Sequence, residues 1–319
     1  MRGFYDGSSL AIHNEQIDEI SGANIGGIAL YHYWFYNKRE LHAFEDTLLS
    51  NARAPWFLIW ANESWTKRWI GDSTTIVSLT RSPSYDQVLE HVKHIGKCMR
   101  HECYFKVSGK PLFVFYNVTH FEDPSKVIKM YRYGFESLGI KSFLMQYISS
   151  PIQADYSFLF DGAFLFEPRL FFAHCQSFRS SSVEKINLIL GKYLSQKIYN
   201  KIINYYHIFS QKGINYHSDM FIQYLRSNAR KCIVDKLQGS IQNILSPGWN
   251  NVPRYNENFT ALADISPQIF ASLLYESSQT CPDIPVLINA WNEWSEGAAI
   301  EPCFYYGHEY LDSIRNAFK

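Results

Sequence analysis

Near the end of the 319-residue chain an apolar run, Val286-Leu287-Ile288-Asn289-Ala290, leads directly into Trp291-Asn292-Glu293-Trp294-Ser295-Glu296-Gly297, with Glu301-Pro302 just beyond. A strand-like segment thus ends among carboxylates and tryptophans. Two carboxyl groups held close together can divide an acid–base reaction, one protonating a leaving oxygen while the other acts as base or nucleophile. Cleavage of a glycosidic bond commonly needs that division. Trp291 and Trp294 offer an apolar wall that would raise one carboxyl pKa, or a face on which a sugar ring stacks. Taken bare, two glutamates three residues apart are an ordinary feature of a solvated helix. The strand in front and the tryptophans around them favour the chemical reading, with Glu293 and Glu296 as the working pair and Asn292, Trp294 and Glu301 as substrate contacts.

A second strand-like run, Trp56-Phe57-Leu58-Ile59-Trp60, also ends in an Asn-Glu pair among tryptophans, Asn62-Glu63-Ser64-Trp65. Trp60, Asn62, Glu63 and Trp65 are therefore further candidates for substrate contact, against the blander pairing of Glu63 with Lys67 or Arg68. Tyr31-His32-Tyr33-Trp34-Phe35 closes an earlier run and adds Tyr31, His32, Tyr33 and Trp34; His32 reads equally well as a satisfied core histidine. Glu167 is either a pocket acid or half of a surface salt bridge. Pro247-Gly248-Trp249-Asn250-Asn251-Val252-Pro253-Arg254 is either a plain Pro/Gly-punctuated loop or the carrier of Trp249, Asn251 and Arg254 to the pocket rim.

Such groups must be positioned by a scaffold, and the pattern is α/β. A loose apolar stripe (Leu10, Ile12, Ile17, Ile20) predicts a helix over 9–22, broken at Gly26-Gly27. Short apolar runs of strand length follow at Ile28 to Tyr33, Trp56 to Trp60, Leu112 to Tyr116, Phe143 to Tyr147, Gly162 to Phe166, Ile241 to Leu245 and Val286 to Ala290. Helical patterns at Asp86 to Arg100, Ser125 to Leu138 and Pro267 to Ser278 alternate with them, which produces a parallel sheet buried on both faces. A (β/α)₈ TIM-barrel-like fold needs eight strands, so this pattern reads as a barrel missing its first β-strand. The Lys-, Tyr- and Ile-rich stretch from about 180 to 235 reads as a helical insertion on a βα loop. Residues 1–319 then form a single domain, since no linker-like segment flanks that stretch.

The 30 basic and 30 acidic residues cancel, which leaves no field to draw in nucleic acid or an anionic membrane. A neutral partner fits better. Cys98, Cys103, Cys175, Cys232, Cys281 and Cys303 show no C-x-x-C pair and no zinc-like spacing with histidines, and are expected as reduced core thiols. No signal-like start and no bilayer-length apolar stretch is evident, so a cytoplasmic location without a transmembrane segment is expected.

Taken together, Tyr31-His32-Tyr33-Trp34-Phe35, Trp60-Ala61-Asn62-Glu63-Ser64-Trp65, Gly109-Lys110-Pro111, Gly248-Trp249-Asn250-Asn251 and Asn289 to Gly297 with Glu301-Pro302 resemble the WbsX-like proteins, in the family's order across nearly the whole chain. That family accompanies bacterial surface-polysaccharide machinery, has been labelled glycosyltransferase, and is similar to glycoside hydrolase family 99. The hydrolase family has a (β/α)₈ barrel and cleaves α-mannosidic linkages with retention through a 1,2-anhydro sugar. The resemblance implies a glycan substrate, Glu293 as the base at the sugar 2-hydroxyl and Glu296 as general acid/base, with no metal or organic cofactor. It also implies an N-terminal strand ahead of Met1, whose absence leaves open barrel edges for a partner or an oligomer to cover. Asn250 stands where the family has Asp. The alternatives to a glycosidase or transglycosylase are a glycosyltransferase and a truncated, non-catalytic glycan-binding protein.

Overall fold

The computed structural model describes residues 3–35, 38–66, 74–177, 213–255 and 259–319. Its centre is a parallel sheet of β1 (Ile28–Phe35), β2 (Trp56–Trp60), β3 (Lys110–Phe115), β4 (Phe143–Ile148), β5 (Gly162–Phe166), β6 (Ser240–Leu245) and β7 (Leu287–Ile288), side by side in chain order. These are the seven strands that the apolar runs predict. Every residue of β2 and β5 is buried, as expected of strands covered on both faces.

The described α-helices are α1 (Leu10–Gly22), α2 (Ala43–Asn51), α3 (Tyr85–Met99), α4 (Pro124–Ser137), α5 (Ser218–Leu225), α6 (Asn228–Val234), α7 (Val252–Tyr255), α8 (Pro267–Ser278) and α9 (Glu309–Ala317). Local chemistry starts several of them. Ser84 and Gln87 form a reciprocal capping box ahead of α3, and Asp123 and Ser266 cap α4 and α8, each of which begins with proline. Val88, His91, Val92, Ile95 and Met99 give α3 a buried stripe at helical spacing.

The closed eight-stranded barrel is not what the described residues show. They form a curled, half-barrel parallel sheet whose end strands are β1 and β7, with no ladder between those two. The curl brings the ends close at their C-terminal tips, where the Tyr31 hydroxyl donates to Asn289 Oδ1 at 3.4 Å. A short antiparallel strand, Lys38–Glu40, pairs with the outer end of β1.

The expected helical insertion lies mostly outside the described residues. Its described part, 213–235, holds α5 and α6 but opens with a strand, Ile214–His217, which pairs with Thr260–Ala263 and through it with Trp249–Asn250. The thiols are free, as expected, but their placement differs: Cys98 is buried, Cys232 is exposed and the others lie between.

Candidate active site

Beyond β7 the chain makes a tight hairpin. Asn292 and Glu293 pair with Ala299 and Ala298 across a 3₁₀ turn at Trp294–Glu296, and Gly297 closes the turn with φ of 60°. A Cβ at Gly297 would stand 3.2 Å from that of Asn250, so both backbone conformation and space call for glycine. The E-x-x-E spacing therefore spans a turn, not a solvated helix, and both carboxylates meet one guanidinium. Arg254 Nη1 donates to Glu296 Oε1 at 2.8 Å; Nη2 donates to Ser295 Oγ at 2.7 Å and reaches Glu293 Oε1 at 3.5 Å. The Ser295 hydroxyl in turn donates to Glu293. The Glu293 side chain is 34% exposed and that of Glu296 is 14% exposed.

Burial raises the Glu296 pKa; Arg254 and Arg169 oppose the shift, while the charges of Glu293 and Glu63 add to it. Burial likewise raises Glu63, against the pull of His120 and Arg169. Tyr33 is pushed up to about 12 by burial and then by the charges of Glu293 and Glu63. Tyr116 is raised by burial, with Glu63 and Glu296 contributing. These mutual fields gather Glu63, Glu293 and Glu296 with Tyr33, Tyr116, Arg169 and Arg254 at one end of the sheet, the C-terminal end of its strands, where active sites of such folds lie.

An aromatic floor continues from them. Ring centroids of Tyr31 and Tyr116 lie 6.1 Å apart, Tyr116 and Tyr147 5.3 Å, Tyr147 and Phe166 5.7 Å, and Phe166 and Trp249 6.3 Å. The guanidinium of Arg169 sits 5.8 Å over the Trp249 ring. Three carboxyl groups beside a row of aromatic rings suit a polyhydroxylated ligand whose reaction is driven by proton transfer.

Strand alternation removes several expected contacts from this site. Tyr33 faces the carboxylates and Tyr31, on the same side of β1, meets Tyr116, Tyr147 and Asn289, so His32 and Trp34 face the helix layer. His32 is 1% exposed and engages Glu45 and His91, which favours its reading as a satisfied core histidine. Trp34 stacks on His91 at 4.7 Å, and Trp60 packs against His91, Phe115 and Tyr131. Asn62 is fully buried; its Nδ2 donates to Asn117 O at 2.5 Å and its Oδ1 accepts from Asn117 N at 2.8 Å. These four residues shape the site from behind and do not line it.

Trp65 is half-buried against Tyr33 at 5.2 Å, and Trp249 is buried beneath Arg169. Trp294 is 49% exposed and donates to Glu301, a buried carboxylate that also accepts from Tyr5 at 3.0 Å and Gln16 at 3.3 Å. Glu301 is thus a structural hub beside the site. Asn292 is exposed and donates to the Tyr5 hydroxyl at 3.3 Å. Glu167 is neither a pocket acid nor surface-paired: it is fully buried and accepts from Arg230 at 3.2 Å. Asn250 and Asn251 accept backbone N–H groups of Val252 and Thr260. Lys67 and Arg68, the expected partners of Glu63, lie outside the described residues.

Arg169, His120, Ser295 and Tyr147 join this region without a motif that marks them as site residues. Their shared signal is a place at or just beyond a strand's C-terminal end. A groove of about 610 Å³ lined by Tyr85, Lys126, Lys129 and Tyr133 lies on the surface of α3 and α4, among none of these groups.

The family model described as Glycosyltransferase WbsX matches residues 1–314. The chain belongs to the WbsX glycosyltransferase family. This WbsX-family chain is 26% identical over 334 residues to a protein described as uncharacterized protein WxcX from Xanthomonas campestris pv. campestris, and 25% identical over 332 residues to its counterpart in a second strain. Each match takes in 99% of the WbsX-family chain and 42% of the relative, so the chain spans less than half the length of these curated relatives. Among solved structures, a glycoside hydrolase-like protein superposes with TM-score 0.64 at 14% identity, over 99% of this chain and 88% of that one. The GH99 endo-alpha-mannosidase from Bacteroides thetaiotaomicron superposes with TM-score 0.56 at 14% identity, over 98% and 84%. At that identity the likeness establishes a shared fold. Among the described residues no helix is long and apolar enough to cross a membrane.

Proposed function

We propose that this chain is the carbohydrate-processing part of a surface-polysaccharide system and breaks or exchanges an α-glycosidic linkage, with Glu293 and Glu296 as its catalytic pair. The observation that carries the reading is the convergence of both carboxylates on Arg254 and Ser295 at the strand ends, with Glu296 raised by burial toward the protonated form that a general acid needs. The shared fold with an endo-alpha-mannosidase supports it.

In this reading Glu293 takes the proton of the sugar 2-hydroxyl as O2 attacks C1. The glycosidic C1–O bond breaks and the leaving oxygen takes its proton from Glu296. Water, or an acceptor hydroxyl, then loses a proton to Glu296 and opens the three-membered ring at C1, while O2 recovers its proton from Glu293. The intramolecular nucleophile gains the advantage of proximity. Tyr31 and Tyr116, the partly exposed members of the aromatic row, border the sugar ring, and Tyr33 and Tyr116, held protonated by their raised pKa, remain hydrogen-bond donors toward sugar oxygens.

The test is a screen of the purified chain on α-linked bacterial glycans, followed by product analysis. Glu293→Gln and Glu296→Gln should abolish turnover while glycan binding persists. Turnover unchanged in both variants sinks the assignment, and binding without turnover in the parent points to a glycan-binding protein. The family's glycosyltransferase description favours a second reading, transfer from an activated donor. Product formation only when a nucleotide-sugar or lipid-linked donor is supplied selects it.

A further inference from the structure

Behind the sheet, away from Glu293 and Glu296, a second group of titratable side chains is enclosed between β1, α2 and α3. His32 Nδ1 lies 2.6 Å from Glu45 Oε2, and His94 Nε2 lies 2.5 Å from Glu45 Oε1. Cys98, one helical turn beyond His94, brings its Sγ to 3.9 Å from both Glu45 Oε1 and His94 Nε2. His32, Glu45 and Cys98 are 1%, 2% and 0% exposed, and the ligand atoms of His32, Glu45 and His94 all lie within 4.8 Å of one another. Cys98 Sγ stands against Glu45 and His94 but outside that group of three, so it completes the shell by turning toward the ion.

We propose that His32, Glu45, His94 and Cys98 form a structural binding site for a divalent transition-metal ion, with Zn²⁺ the best match. Two imidazoles, a carboxylate and a thiolate supply four donors of the types zinc takes, and enclosure between sheet and helices marks a structural rather than a catalytic site. The pairing of His94 with Cys98 at i and i+4 puts two ligands on one face of α3, while β1 and α2 bring the others.

The surroundings let His32 serve in both metal-free and metal-bound states. His32 Nε2 is 3.0 Å from His91 Nε2, and His91 Nδ1 is 2.6 Å from the Tyr131 hydroxyl. Each link works in either direction, because a neutral imidazole has one donor and one acceptor nitrogen and the hydroxyl can do both. Without metal, Tyr131 donates to His91, His91 donates to His32, and His32 Nδ1–H donates to Glu45. With metal, both imidazoles exchange tautomers: His32 Nε2–H donates to His91, His91 Nδ1–H donates to Tyr131, and the Nδ1 lone pair of His32 faces the ion. Metal ligands commonly need such an outer partner to fix the tautomer. His94 carries its proton on Nδ1 in the bound form, and the Cys98 proton is released to solvent. Arg39 divides its charge between Glu45 at 3.2 Å and Asp46 at 2.8 Å, so Asp46 retains it when Glu45 turns to the ion.

Zinc content of the purified chain by elemental mass spectrometry, calorimetric titration of chelator-stripped protein with zinc chloride, and X-ray absorption of the zinc-loaded protein test this without any glycan assay. The site calls for one equivalent of zinc, a thermal midpoint that falls with EDTA and returns with zinc, and one sulfur among three lighter ligands. Cys98→Ser and His94→Asn should each weaken binding by about ten-fold or more. A midpoint indifferent to both zinc and EDTA, a metal shell without sulfur, or an affinity in both variants unchanged from the parent overturns the proposal and leaves a hydrogen-bonded histidine–glutamate network in its place.

Discussion

Arg254 donates to Glu296 across 2.8 Å from a helix of four residues, α7, which lies between β6 and β7 rather than in the hairpin that carries the carboxylate. One cation thus acts on an acid supplied by a different loop and holds its neighbour Ser295 by the same fork. Because Arg254 lowers the Glu296 pKa against burial, Arg254→Gln should raise it further. The limb of the pH–rate profile that needs protonated Glu296 then moves to higher pH, and misplacement of the pair lowers kcat by about 100-fold. A pH profile unchanged in the variant would separate Arg254 from the acid.

Asn62 and Glu63 are adjacent but should fail differently. Asn62→Ala leaves the backbone N–H and C=O of Asn117 without their buried partner, at a cost of about 2–3 kcal/mol. It should lower the urea midpoint with little effect on substrate KM. Glu63→Gln should leave stability nearly intact and change kcat/KM, since Glu63 shares its field with Glu296 and Tyr33. Urea titration and steady-state kinetics on both variants check the split.

Gly297→Ala places a Cβ 3.2 Å from that of Asn250 at a φ of 60°. Left-handed backbone with a side chain costs about 1–2 kcal/mol, and here relief of the clash must move the turn that sets Glu296. Activity should fall more than stability does, which thermal melts beside rate measurements would show.

Burial pushes Glu167 up to about 7 from its ordinary 4.5, with Arg230 opposing. A carboxyl whose folded pKa lies above its unfolded value binds more protons in the fold between those two values. Its contribution to stability is therefore full below about 4.5 and is lost as pH rises through about 7. Glu167→Gln should flatten the fall in stability over that window, measured by chemical unfolding at several pH values. A wild-type-like slope in the variant would assign the dependence elsewhere.

Much of this architecture is legible from residues alone. Continuous apolarity marks the seven strands and helical periodicity marks α3, α4 and α8, whereas their exact starts are set by the caps Ser84, Asp123 and Ser266, which periodicity does not reveal. The carboxylate pair is legible because strand, turn and tryptophans coincide in one short stretch. Taking His32 and Trp34 together with Tyr31 and Tyr33 treats four consecutive residues as one surface, whereas a strand's period of two sends alternate side chains to opposite faces. Arg169 and His120 follow two other strands, and only the curl of the sheet brings them to Glu63, as it brings Tyr147 to Tyr31 and Tyr116. The strand Ile214–His217 hides beside helix-forming sequence because its partner, Thr260–Ala263, is distant along the chain.

The two-residue ladder of β7 gives the carboxylate-bearing hairpin a shallow root. Ile244 and Leu245 pair with Leu287 and Ile288 and no further, whereas β5 and β6 share five paired positions. Opening this edge exposes less apolar surface than opening the centre, so it belongs to the low-stability end of the molecule's internal motions. The hairpin carrying Glu293 and Glu296 would detach as a unit while the central strands remain intact. Mild denaturant should therefore abolish the proposed glycan turnover at concentrations where most of the chain's amide protons are still protected from exchange.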